Sequence, residues 1–456
     1  MINSSTSLSL SENDRNYLKE VIRMALKDAV ALGASDAVAS ISESKGLSVA
    51  VRKNDIDTIE HTHDRSLSLV VFNGKRSGSS FTSDFSVESI KKSVEAAFYI
   101  AKHTAIDDAS GLPEPHLLAK EQKDFDVYHQ WDKTTEEIID IAKISECAAM
   151  EFNDSIINTD GSFINCEESY SLISNTLGFC GDHYYSDYSL SVVPIASGNN
   201  GSMQRDFWCT NNCNPSKLLD PVIVGHIAAE RTLSRINARR IPTGKYPVLF
   251  EAPVALGLIG SFAQASSGNN LYRKSSFLID ALGRKIFPDF IDIIDDPHIY
   301  GEIGSSSFDS EGVITKKRKV VSGGILEGYF LSTYTARKLG MSTTGNAGGS
   351  HNLCIDSKRA LKEDDLNTMI KRMGKGLLVT ELIGQGINYV TGDYSRGIFG
   401  YWIENGQIQH AVQEVTIAGN LLDMFSKIVA VGSDQITRGN KTSGSILIEN
   451  MSVAGY

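Results

Sequence analysis

The stretch "KYPVLFEAPVALGLIGSF", from Lys245 to Phe262, decides how the C-terminal half of this chain is interpreted. Its first six residues are typical of a strand. Pro253 then stands where proline is tolerated, near the start of a helix. From Val254 to Gly260 every residue is apolar or glycine. We therefore predict a strand followed by a buried helix from about Pro253 to Ser266, with no catalytic side chain along it.

The rest of the C-terminal half is dominated by strand-like segments and by frequent glycine. Hairpin turns are predicted at Gly323-Gly324 and at Asn405-Gly406, because such pairs accept the positive φ angles of tight turns. The strand-like segments include "ILEGYFLS", "GLLVTELI", "GIFGYWIENGQIQHAVQEVTIAG" and "GSILIENMSVAGY". We predict one large β-rich domain over residues 241–456.

Upstream, residues 1–115 predict a small module of helices and antiparallel strands. Ser11 is placed to cap a first helix, and a second helix is predicted over residues 86–103. Strand-like runs between them include a hairpin signal at Asn73-Gly74. The following "TAIDDASGLPEPHLLAKEQKD" is rich in Gly, Pro and charged residues, which is typical of a linker.

A second small module is predicted over residues 116–240. Thr134 to Glu137 form a capping-box pattern before an apolar helix, and Asp220-Pro221 begin another helix that we predict to reach Arg240. Antiparallel strands lie between the two helices. Their predicted turns are Asp160-Gly161, Leu177-Gly178 and Cys180-Gly181. The chain is therefore predicted to be an α+β protein, with two small helix and antiparallel-sheet modules before the β-rich domain.

Charge and hydropathy exclude several partners and locations. The formal net charge of −11 argues against nucleic acid, because phosphate binding depends on Lys and Arg. The basic run "KKRK", Lys316 to Lys319, adjoins the Gly323-Gly324 hairpin, and we interpret it as a solvated strand edge. No apolar run is long enough to span a membrane, and the N-terminal twenty residues lack a signal-peptide pattern. We expect a cytoplasmic protein without nucleic-acid or membrane partners.

Candidate metal and thiol sites are weak. The six cysteines contain no C-x-x-C pair, and we expect reduced, structural thiols. The best local pair of metal-binding side chains is His61 and His63, with Asp64 beside them. Two imidazoles alone make a poor site, so we interpret this segment as a solvated strand.

Other chemistries are not supported by the motifs. The glycine-rich segments "GQGINYVTG" and "TTGNAGG" lack the G-x-G-x-x-G spacing and the Lys-Ser/Thr pair of phosphate-binding loops. No G-x-S-x-G motif marks a nucleophilic serine. The residues taken alone indicate no self-sufficient active site.

An ordered set of motifs between Tyr246 and Leu353 nevertheless points to a known family. These motifs are "YPVLFEAPVALGLIGSF", "LYRKSSFLIDALGRKIFP", "SSSFDSEGV" and "LEGYFLSTYTARKLGMSTTGNAGGSHNL", followed later by "GQGINYVTGDYSRGIFGYWIENG" and "VQEVTIAGNLLDM". Together they resemble the PmbA (TldE) branch of the TldD/PmbA family, formerly described as modulators of DNA gyrase. The resemblance extends more weakly over the whole chain.

The resemblance implies a cytoplasmic peptidase complex in which a TldD-type subunit pairs with a PmbA-type one. The TldD branch carries H-E-x-x-x-H on a helix and a cysteine near the C-terminus as its zinc site. Such a zinc would polarise the scissile carbonyl and lower the pKa of bound water. The implied substrates are unfolded or extended peptides, such as leaders of peptide antibiotics or labile antitoxins.

This chain departs from the zinc motif at every position. With "GLIG", Gly257 to Gly260, as the shared anchor, Glu251 and Leu256 stand at the two histidine positions and Ala252 at the glutamate. The C-terminal "SDQITRGNKTSGSILIE" contains no cysteine. We therefore expect neither a catalytic residue nor a metal in this chain, and zinc only in a TldD-type partner of a heterodimer. Glu251 is interpreted as a first-turn acid favoured by the helix dipole.

Peptide contacts are predicted in two segments, and two other functions stay open. The segments are "YRKSS", Tyr272 to Ser276, and "TTGNAGG", Thr343 to Gly349. The candidate residues are Arg273, Lys274, Ser275, Thr344, Asn346 and Gly348. A charge pair beside a helix and a tight turn explain the same residues structurally. The alternative functions are an independent peptidase with another site and a regulatory binding protein of the gyrase-modulator kind.

Overall fold

The computed structural model describes residue 8, residues 10–198 and residues 201–456. Residues 1–7 and 9, which belong to the N-terminal stretch compared with signal peptides above, and residues 199–200 lie outside this part. The described residues confirm the predicted α+β class. None of the helices they form is long and apolar enough to cross a membrane.

The predicted starts of three helices are confirmed by their caps. Helix α1 (Glu12–Ala31) begins after Ser11, whose hydroxyl accepts from the Asp14 amide while the Asp14 carboxylate accepts from the Ser11 amide. Helix α2 (Val87–His103) is capped by Ser86. Helix α3 (Thr135–Met150) starts at the capping box of Thr134 and Glu137. These side chains bond amide groups that lack partners within the helix, so each start has a local signal.

The fourth helix is shorter than predicted. Helix α4 (Pro221–Ser234) starts at Asp220 as expected but ends before the predicted Arg240. Asn237 takes a positive φ of 62°, which breaks the helical path. The Arg239 amide then donates to the Ala411 carbonyl oxygen at 3.1 Å, so the chain leaves the helix to join the C-terminal domain.

The strands of both small modules belong to one antiparallel sheet, which we call the N-terminal sheet. Within the described residues its strands are β1 (Asp36–Arg52), β2 (Asp55–Asn73), β3 (Arg76–Thr82), β4 (Ile156–Asn175), β5 (Cys180–Ser197), β6 (Met203–Arg205) and β7 (Trp208–Asn212). Their order is β3-β2-β1-β4-β5-β6, and β7 also pairs with β5. Strands β1 and β4 pair from Val38↔Asn175 to Val51↔Ser162. The sequence patterns did not predict this pairing between the modules.

The predicted turns in this sheet are partly right. The hairpin at Asn73-Gly74 and the turn at Leu177-Gly178 are confirmed. The turn predicted at Asp160-Gly161 is wrong: a register shift between Thr159 and Gly161 forms a bulge inside β4. Gly161, at a φ of 127°, lets the strand continue there. Cys180-Gly181 is no turn either, because both residues pair with β4 at the start of β5.

The C-terminal domain contains two further sheets. The strands of this domain in the described chain are β8 (Gly244–Phe250), β9 (Ile291–Asp296), β10 (Arg318–Ser322), β11 (Ile325–Leu326), β12 (Asn352–Ser357), β13 (Gly376–Ile383), β14 (Asp393–Glu404), β15 (Gln407–Asn420), β16 (Ile428–Val431), β17 (Ile436–Arg438), β18 (Lys441–Ser443) and β19 (Ile446–Ala454). The first sheet has the order β11-β10-β9-β12-β18-β17 and the second has the order β15-β14-β13-β8-β19-β16. The helices of this domain are α5 (Ala252–Ala265), α6 (Gly268–Tyr272), α7 (Thr333–Lys338), α8 (Leu366–Met373) and α9 (Leu421–Ser426).

Helix α5 is packed into the core that these two sheets share. Its buried Leu258, Ile259 and Phe262 belong to the same apolar cluster as Phe250 of β8 and Ile293 of β9. Burial of such side chains contributes roughly 2 kcal/mol each, so the helix is fixed on both sheets. The prediction of a buried helix after a strand is confirmed.

The predicted hairpins of this domain are confirmed, and one strand is shortened. Gly323 and Gly324 connect β10 to β11, and Asn405-Gly406 connect β14 to β15. A Cβ atom on Gly324 would lie 2.2 Å from the Phe287 carbonyl oxygen, so only glycine fits. The predicted strand "ILEGYFLS" is wrong beyond Leu326, where the chain turns toward α7.

The basic run is more than a solvated strand edge. Strand β10 lies between β9 and β11, and its cations face a row of aspartates on β9. Lys317 pairs with Asp296 at 2.8 Å and Lys319 with Asp292 at 2.7 Å. The largely buried Arg318 lies 3.7 Å from Asp295. These ion pairs explain the local positive charge without a nucleic-acid partner.

Candidate functional site

The candidate site is built around the N-terminal end of α5, where the motif comparison placed a zinc helix in the related branch. The Glu251 amide donates to the Val379 carbonyl oxygen at 3.0 Å, which ties this end of the helix to β13. Glu251 is the N-cap residue, and its side chain makes no capping hydrogen bond. Glu251, Ala252 and Leu256 are all buried. Ala252 and Leu256 lie outside the apolar cluster that holds the core face of α5.

The Glu251 carboxylate is held by an arginine of the preceding helix. Arg231 on α4 donates to both carboxylate oxygens, at 2.7 Å and 3.0 Å. Both side chains are mostly buried, at 18% and 11% exposure. The interpretation of Glu251 as a first-turn acid is therefore wrong: the residue stands at the N-cap position, before the first turn, and its carboxylate is neutralised by Arg231. A planar guanidinium matches a carboxylate in this bidentate way.

This pair belongs to a larger buried cluster of charges, which we call the ion cluster. The Asp206 carboxylate accepts a hydrogen bond from Arg235 Nε at 2.9 Å and forms an ion pair with Arg231, whose Nε lies 3.2 Å away. Arg235 also pairs with Glu381 of β13. Three carboxylates thus face two guanidinium groups. The cluster joins residues 206–235 to the C-terminal domain at the start of α5.

Aromatic rings cover the two cations. The guanidinium carbon of Arg235 lies 4.0 Å from the centroid of the Phe399 ring, and that of Arg231 lies 5.3 Å from the Trp208 ring. Burial lowers the pKa of Arg231, but the hydrogen bond and charge of Glu251, together with Asp206, outweigh burial and raise it. Arg231 therefore stays charged, and both guanidinium groups pair with carboxylates of the ion cluster.

The donor atoms present here do not fit a zinc ion. Ala252 and Leu256 offer no ligand atom, and both oxygens of Glu251 accept from Arg231. In the described part of the chain no group of three or more His, Cys, Asp or Glu side chains is placed to hold a metal. A zinc peptidase site needs three protein ligands and an open position. No catalytic step through a metal is therefore derived for these residues.

The histidine and cysteine candidates are structural. His63 is an exposed residue of β2 whose Nε2 lies 2.9 Å from Glu43 Oε1, which fits the solvated strand that we expected. The six cysteines are all free. Burial raises the pKa of Cys166 to about 12, with a further contribution from Glu168, and raises that of Cys354 to about 11. Both remain protonated thiols at neutral pH and are poor nucleophiles.

The cysteine-free C-terminal segment lies directly beside α5. Strands β17 and β18 form a hairpin from Ile436↔Ser443 to Arg438↔Lys441. A Cβ atom on Gly260 would lie 3.8 Å from Lys441 Cε. Gly260 is one helical turn beyond Leu256, on the same side of the helix. The two segments that the motif comparison singled out therefore meet in space.

A cleft of about 470 Å³ opens at this meeting point, and we call it the α5 cleft. Asn346 and Gly348, two of the predicted contact residues, are part of its wall. The full wall consists of Gly260, Ala263, Gln264, Ser267, Gly268, Asn269, Phe330, Ser332, Thr335, Asn346, Gly348, Gly349, Ser350, Asn440 and Lys441. Arg273, Lys274, Ser275 and Thr344 do not line it.

The predicted contact residues mostly have structural partners. Asn346 is buried, donates to Asp295 Oδ2 and to the Gly349 carbonyl oxygen at 2.9 Å each, and accepts from Arg318. The Thr344 hydroxyl accepts from the Leu331 amide at 2.8 Å. Gly348 has a φ of 109°, which its lack of a side chain permits. These three residues shape the loop behind the cleft.

The "YRKSS" segment forms the exposed end of α6. The Arg273 guanidinium carbon lies 5.6 Å from the ring centroid of Tyr272, and Lys274 has a positive φ of 56°. The Ser275 hydroxyl donates to the Arg273 carbonyl oxygen at 3.4 Å. The structure thus separates this segment from the α5 cleft.

Sequence reasoning missed the residues that distinguish this site. Arg231 on α4 and Arg235, the C-cap residue of that helix, stand four apart and so lie on one face, but nothing local showed that this face is buried. Asp206 lies in an irregular segment, and Lys441 has no motif around it. Their roles follow from contacts between distant parts of the chain.

Comparisons with known proteins agree with the geometry of the fold. Family models described as PmbA/TldA metallopeptidase domain 1, central domain and C-terminal domain match residues 37–101, 128–236 and 243–455. Metalloprotease PmbA of Escherichia coli O157:H7 is 41% identical over 448 residues, which cover 98% of each chain. The Metalloprotease PmbA homolog of Haemophilus influenzae is 40% identical over 449 residues, again 98% of each chain. A crystal structure from Bacteroides thetaiotaomicron, titled a putative modulator of DNA gyrase, is 26% identical and superposes with a TM-score of 0.90, covering 98% of this chain and 100% of that one.

Proposed function

This chain belongs to the PmbA/TldD family of metallopeptidases, and on that basis we propose that it is the subunit of a heteromeric peptidase that carries no zinc of its own. Its partner would be a TldD-type subunit that supplies the zinc. The observation that carries the proposal is the start of α5. There, Glu251 is bound to Arg231, and Ala252 and Leu256 replace the remaining motif positions.

The chemistry of zinc-dependent peptide hydrolysis supports a complex in which one subunit carries the zinc and the other does not. The metal needs ligands fixed around an open position, and a nearby base must accept the proton of the attacking water. Here the base position is Ala252, and the β17–β18 hairpin presents Asn440 and Lys441 in a segment without cysteine. What this chain retains is the scaffold around the helix, including the α5 cleft.

We propose unfolded or extended peptides as substrates of the complex, including leaders of peptide antibiotics and labile antitoxins. The open, polar and glycine-containing wall of the α5 cleft supports an extended chain as the ligand. The net charge of −11 supports a partner other than nucleic acid. We place the complex in the cytoplasm, away from membranes.

Co-purification followed by zinc analysis tests the proposal. We expect this chain to co-purify with a TldD-type subunit and the complex to contain zinc, while the isolated chain contains none in stoichiometric amount. Cleavage of an unfolded protein such as casein should need both subunits and should stop with a chelator. A His61→Ala/His63→Ala variant controls for metal held adventitiously by the exposed histidine pair. Stoichiometric zinc in the isolated chain, or full activity without a partner, would contradict the proposal.

A binding role toward DNA gyrase is the second candidate, because the similar Bacteroides structure is titled a putative modulator of that enzyme. This role predicts that the chain captures purified gyrase and changes its supercoiling rate without a TldD-type subunit. We expect neither effect. A stable complex with gyrase alone would favour this function over the peptidase subunit.

A further inference from the structure

The α5 cleft has an unusual charge composition. None of its wall residues is Asp or Glu, and Lys441 is the one residue with a full charge. Polar groups around it come from the side chains of Gln264, Asn269 and Ser350, for which the described part of the chain provides no hydrogen-bond partner. In a protein with a net charge of −11, such a wall is a local exception.

Lys441 is held in place without being neutralised. Its Nζ donates to Asn440 Oδ1 at 2.9 Å, and Asn440 Nδ2 donates to the Ser350 carbonyl oxygen at 2.7 Å. Its aliphatic stem lies along the surface of α5 at Gly260. No carboxylate of the described residues comes within 4.0 Å of Nζ, whereas Lys317, Lys319 and Lys338 each have an aspartate partner.

This arrangement leaves the ammonium group ready for an anion. A lysine ammonium has three donor hydrogens, and the neutral Asn440 amide uses one of them. Lys441 is half-buried, and desolvation lowers its pKa because burial penalises the charged ammonium group. A ligand carboxylate would supply that compensation and accept further hydrogen bonds from the amide groups of the wall.

The shape of the surface favours a chain-like ligand over a small ion. A second cleft, of about 430 Å³, shares Gly348, Gly349 and Ser350 with the α5 cleft. It continues toward Ser40 and Ser42 of β1 in the N-terminal sheet. A Cβ atom on Gly349 would meet nothing within 4 Å, so the passage between the two clefts is open. Both volumes lie in the range of ligand sites, roughly 300–1,000 Å³.

We propose that the α5 cleft binds the carboxylate of a peptide, with Lys441 as its cationic contact and Asn440 as the residue that positions Lys441. The carboxylate is either the C-terminal group of the peptide or an Asp or Glu side chain within it. The inference rests on the proposed function for one point, that the ligand is a peptide. It assigns to this chain a role in holding the substrate or product through a carboxylate.

Isothermal titration calorimetry on the isolated full chain tests this site. The probes are acetyl-Gly-Ser-Ala-Gly-Ser-Ala with a free carboxylate, its C-terminal amide, and the same amide with Glu at the fourth position. We expect the uncharged amide to bind roughly tenfold or more weakly than the carboxylate peptide, as for loss of a hydrogen bond between charged groups. The Glu-containing amide then shows which source of carboxylate is preferred.

Variants connect the binding to Lys441. Lys441→Met keeps the aliphatic stem and removes the charge. It should weaken binding of the carboxylate peptide by roughly tenfold or more and leave binding of the uncharged amide peptide unchanged. Lys441→Arg should restore part of the affinity. Lys27→Met, at an exposed lysine of α1, is the matched control and should bind as the wild type does. Unaltered thermal unfolding of the Lys441 variants would show that the cleft is still formed.

The proposal is overturned if the isolated chain binds none of the peptides, if neither the carboxylate peptide nor the Glu-containing amide binds more tightly than the uncharged amide, or if Lys441→Met binds like the wild type. Inorganic phosphate that competes at the affinity of the peptide would also overturn it, because the site would then be a small-anion site. These outcomes are separate from the proposed function. Partner-dependent proteolysis can persist without this site, and zinc in the isolated chain would leave the titration result intact.

Discussion

A mostly buried ion pair lies at the start of α5. The carboxylate of Glu251 and the guanidinium of Arg231 neutralise each other at a position that the motif comparison aligned with a zinc ligand of the related branch. Because both side chains are mostly buried, removing one of them would leave a charge without a full partner. Such an uncompensated charge is costly, whereas replacing both partners by apolar groups of similar volume is often nearly neutral.

A double-mutant cycle on this pair tests that view. We expect Arg231→Met to lower the free energy of unfolding by about 3 kcal/mol, because it leaves Glu251 unpaired. Glu251→Leu should lower the free energy of unfolding by a smaller amount, since Asp206 still lies 3.2 Å from Arg231. The double variant should cost clearly less than the sum of the single variants. Urea denaturation measures all three.

The control for this cycle is a surface ion pair. Arg240 and Glu414 are about half exposed, so Arg240→Met should change the stability by less than about 1 kcal/mol. Additive effects of Arg231→Met and Glu251→Leu would mean that the two side chains do not depend on each other, contrary to the structure.

For single residues, the sequence predicts which positions belong to the site better than it predicts the side chains that they contact. The comparison of motifs located Glu251, Ala252 and Leu256, and the structure places them together at the start of α5. It did not predict Arg231, because the pairing is a tertiary contact between two helices. Likewise, Asn346 is predicted as a peptide contact but is bonded to Asp295 and Arg318, which no local pattern indicates.

At the scale of the elements, two acidic residues lie side by side on neighbouring strands of the N-terminal sheet. Glu167 on β4 is the direct cross-strand partner of Asp187 on β5. Burial, followed by the charge of Glu167, raises the pKa of Asp187 to about 6. One of its carboxylate oxygens, Oδ1, has no hydrogen-bond partner in the described structure. Like charges opposite each other destabilise a sheet.

The raised pKa predicts a pH-dependent gain from Asp187→Asn. Because the folded pKa lies above the ordinary value of 3.8, the ionised carboxylate destabilises the folded state at pH values above about 6. The destabilisation shrinks as the pH falls through 6 and is absent below the unfolded pKa. Since the side chain is partly exposed, we expect Asp187→Asn to stabilise by about 1 kcal/mol at pH 8 and by nearly nothing at pH 4. Urea denaturation at both pH values gives the difference.

A second substitution separates the two causes of this shift. Glu167→Gln removes only the neighbouring charge, which is the smaller cause, so it should stabilise less than Asp187→Asn at pH 8. Equal stability of Asp187→Asn and the wild type at every pH would show that the carboxylate is well solvated in the folded state.

The elements differ in how well the sequence predicts them, for a physical reason. The helix starts at Ser11, Ser86 and Thr134 depend on side chains within three residues, and all were predicted. The end of α4 and the bulge at Gly161 depend on distant partners. After Ser234 the chain forms hydrogen bonds with β15, and pairing with β5 sets the register of β4. Local signals therefore predicted starts and tight turns, but not where tertiary pairing interrupts an element.

For the whole molecule, the main arrangement that the sequence did not predict is the union of the two small modules. Strands β1 and β4 come from different modules and pair along most of their length. Each strand shows the alternation of apolar and polar residues that is typical of a half-buried strand, but this alternation does not indicate which strand it pairs with. The α5 cleft is lined by residues of the C-terminal domain, whereas the second cleft that continues it lies between this sheet and the C-terminal loops. The second cleft therefore requires the modules to keep a fixed position.

The segment predicted as a linker contributes to that fixed position. It lacks long helices and strands, but Arg337 on α7 binds it through several hydrogen bonds. The guanidinium donates to the carbonyl oxygens of Gly111 and Leu112 at 3.1 Å and 2.7 Å, and to the Glu114 carboxylate at 2.9 Å. Asp107 of the same segment pairs with Lys338 at 2.8 Å. The linker is therefore attached to the C-terminal domain along its length.

Arg337→Met should loosen this attachment. Because each hydrogen bond to a charged donor contributes about 1.5–3 kcal/mol, loss of the guanidinium should raise hydrogen exchange of the backbone amides of residues 107–112 and 114 by at least tenfold. Arg337→Lys should recover only part of the protection, since an ammonium lacks the planar fork that reaches several carbonyl groups. Arg359→Met removes an exposed pair with Asp289 and is the control. If exchange of these amides stays at the wild-type rate in Arg337→Met while the protein remains folded, other contacts hold the segment, and the position of the N-terminal sheet beside the second cleft does not depend on this arginine.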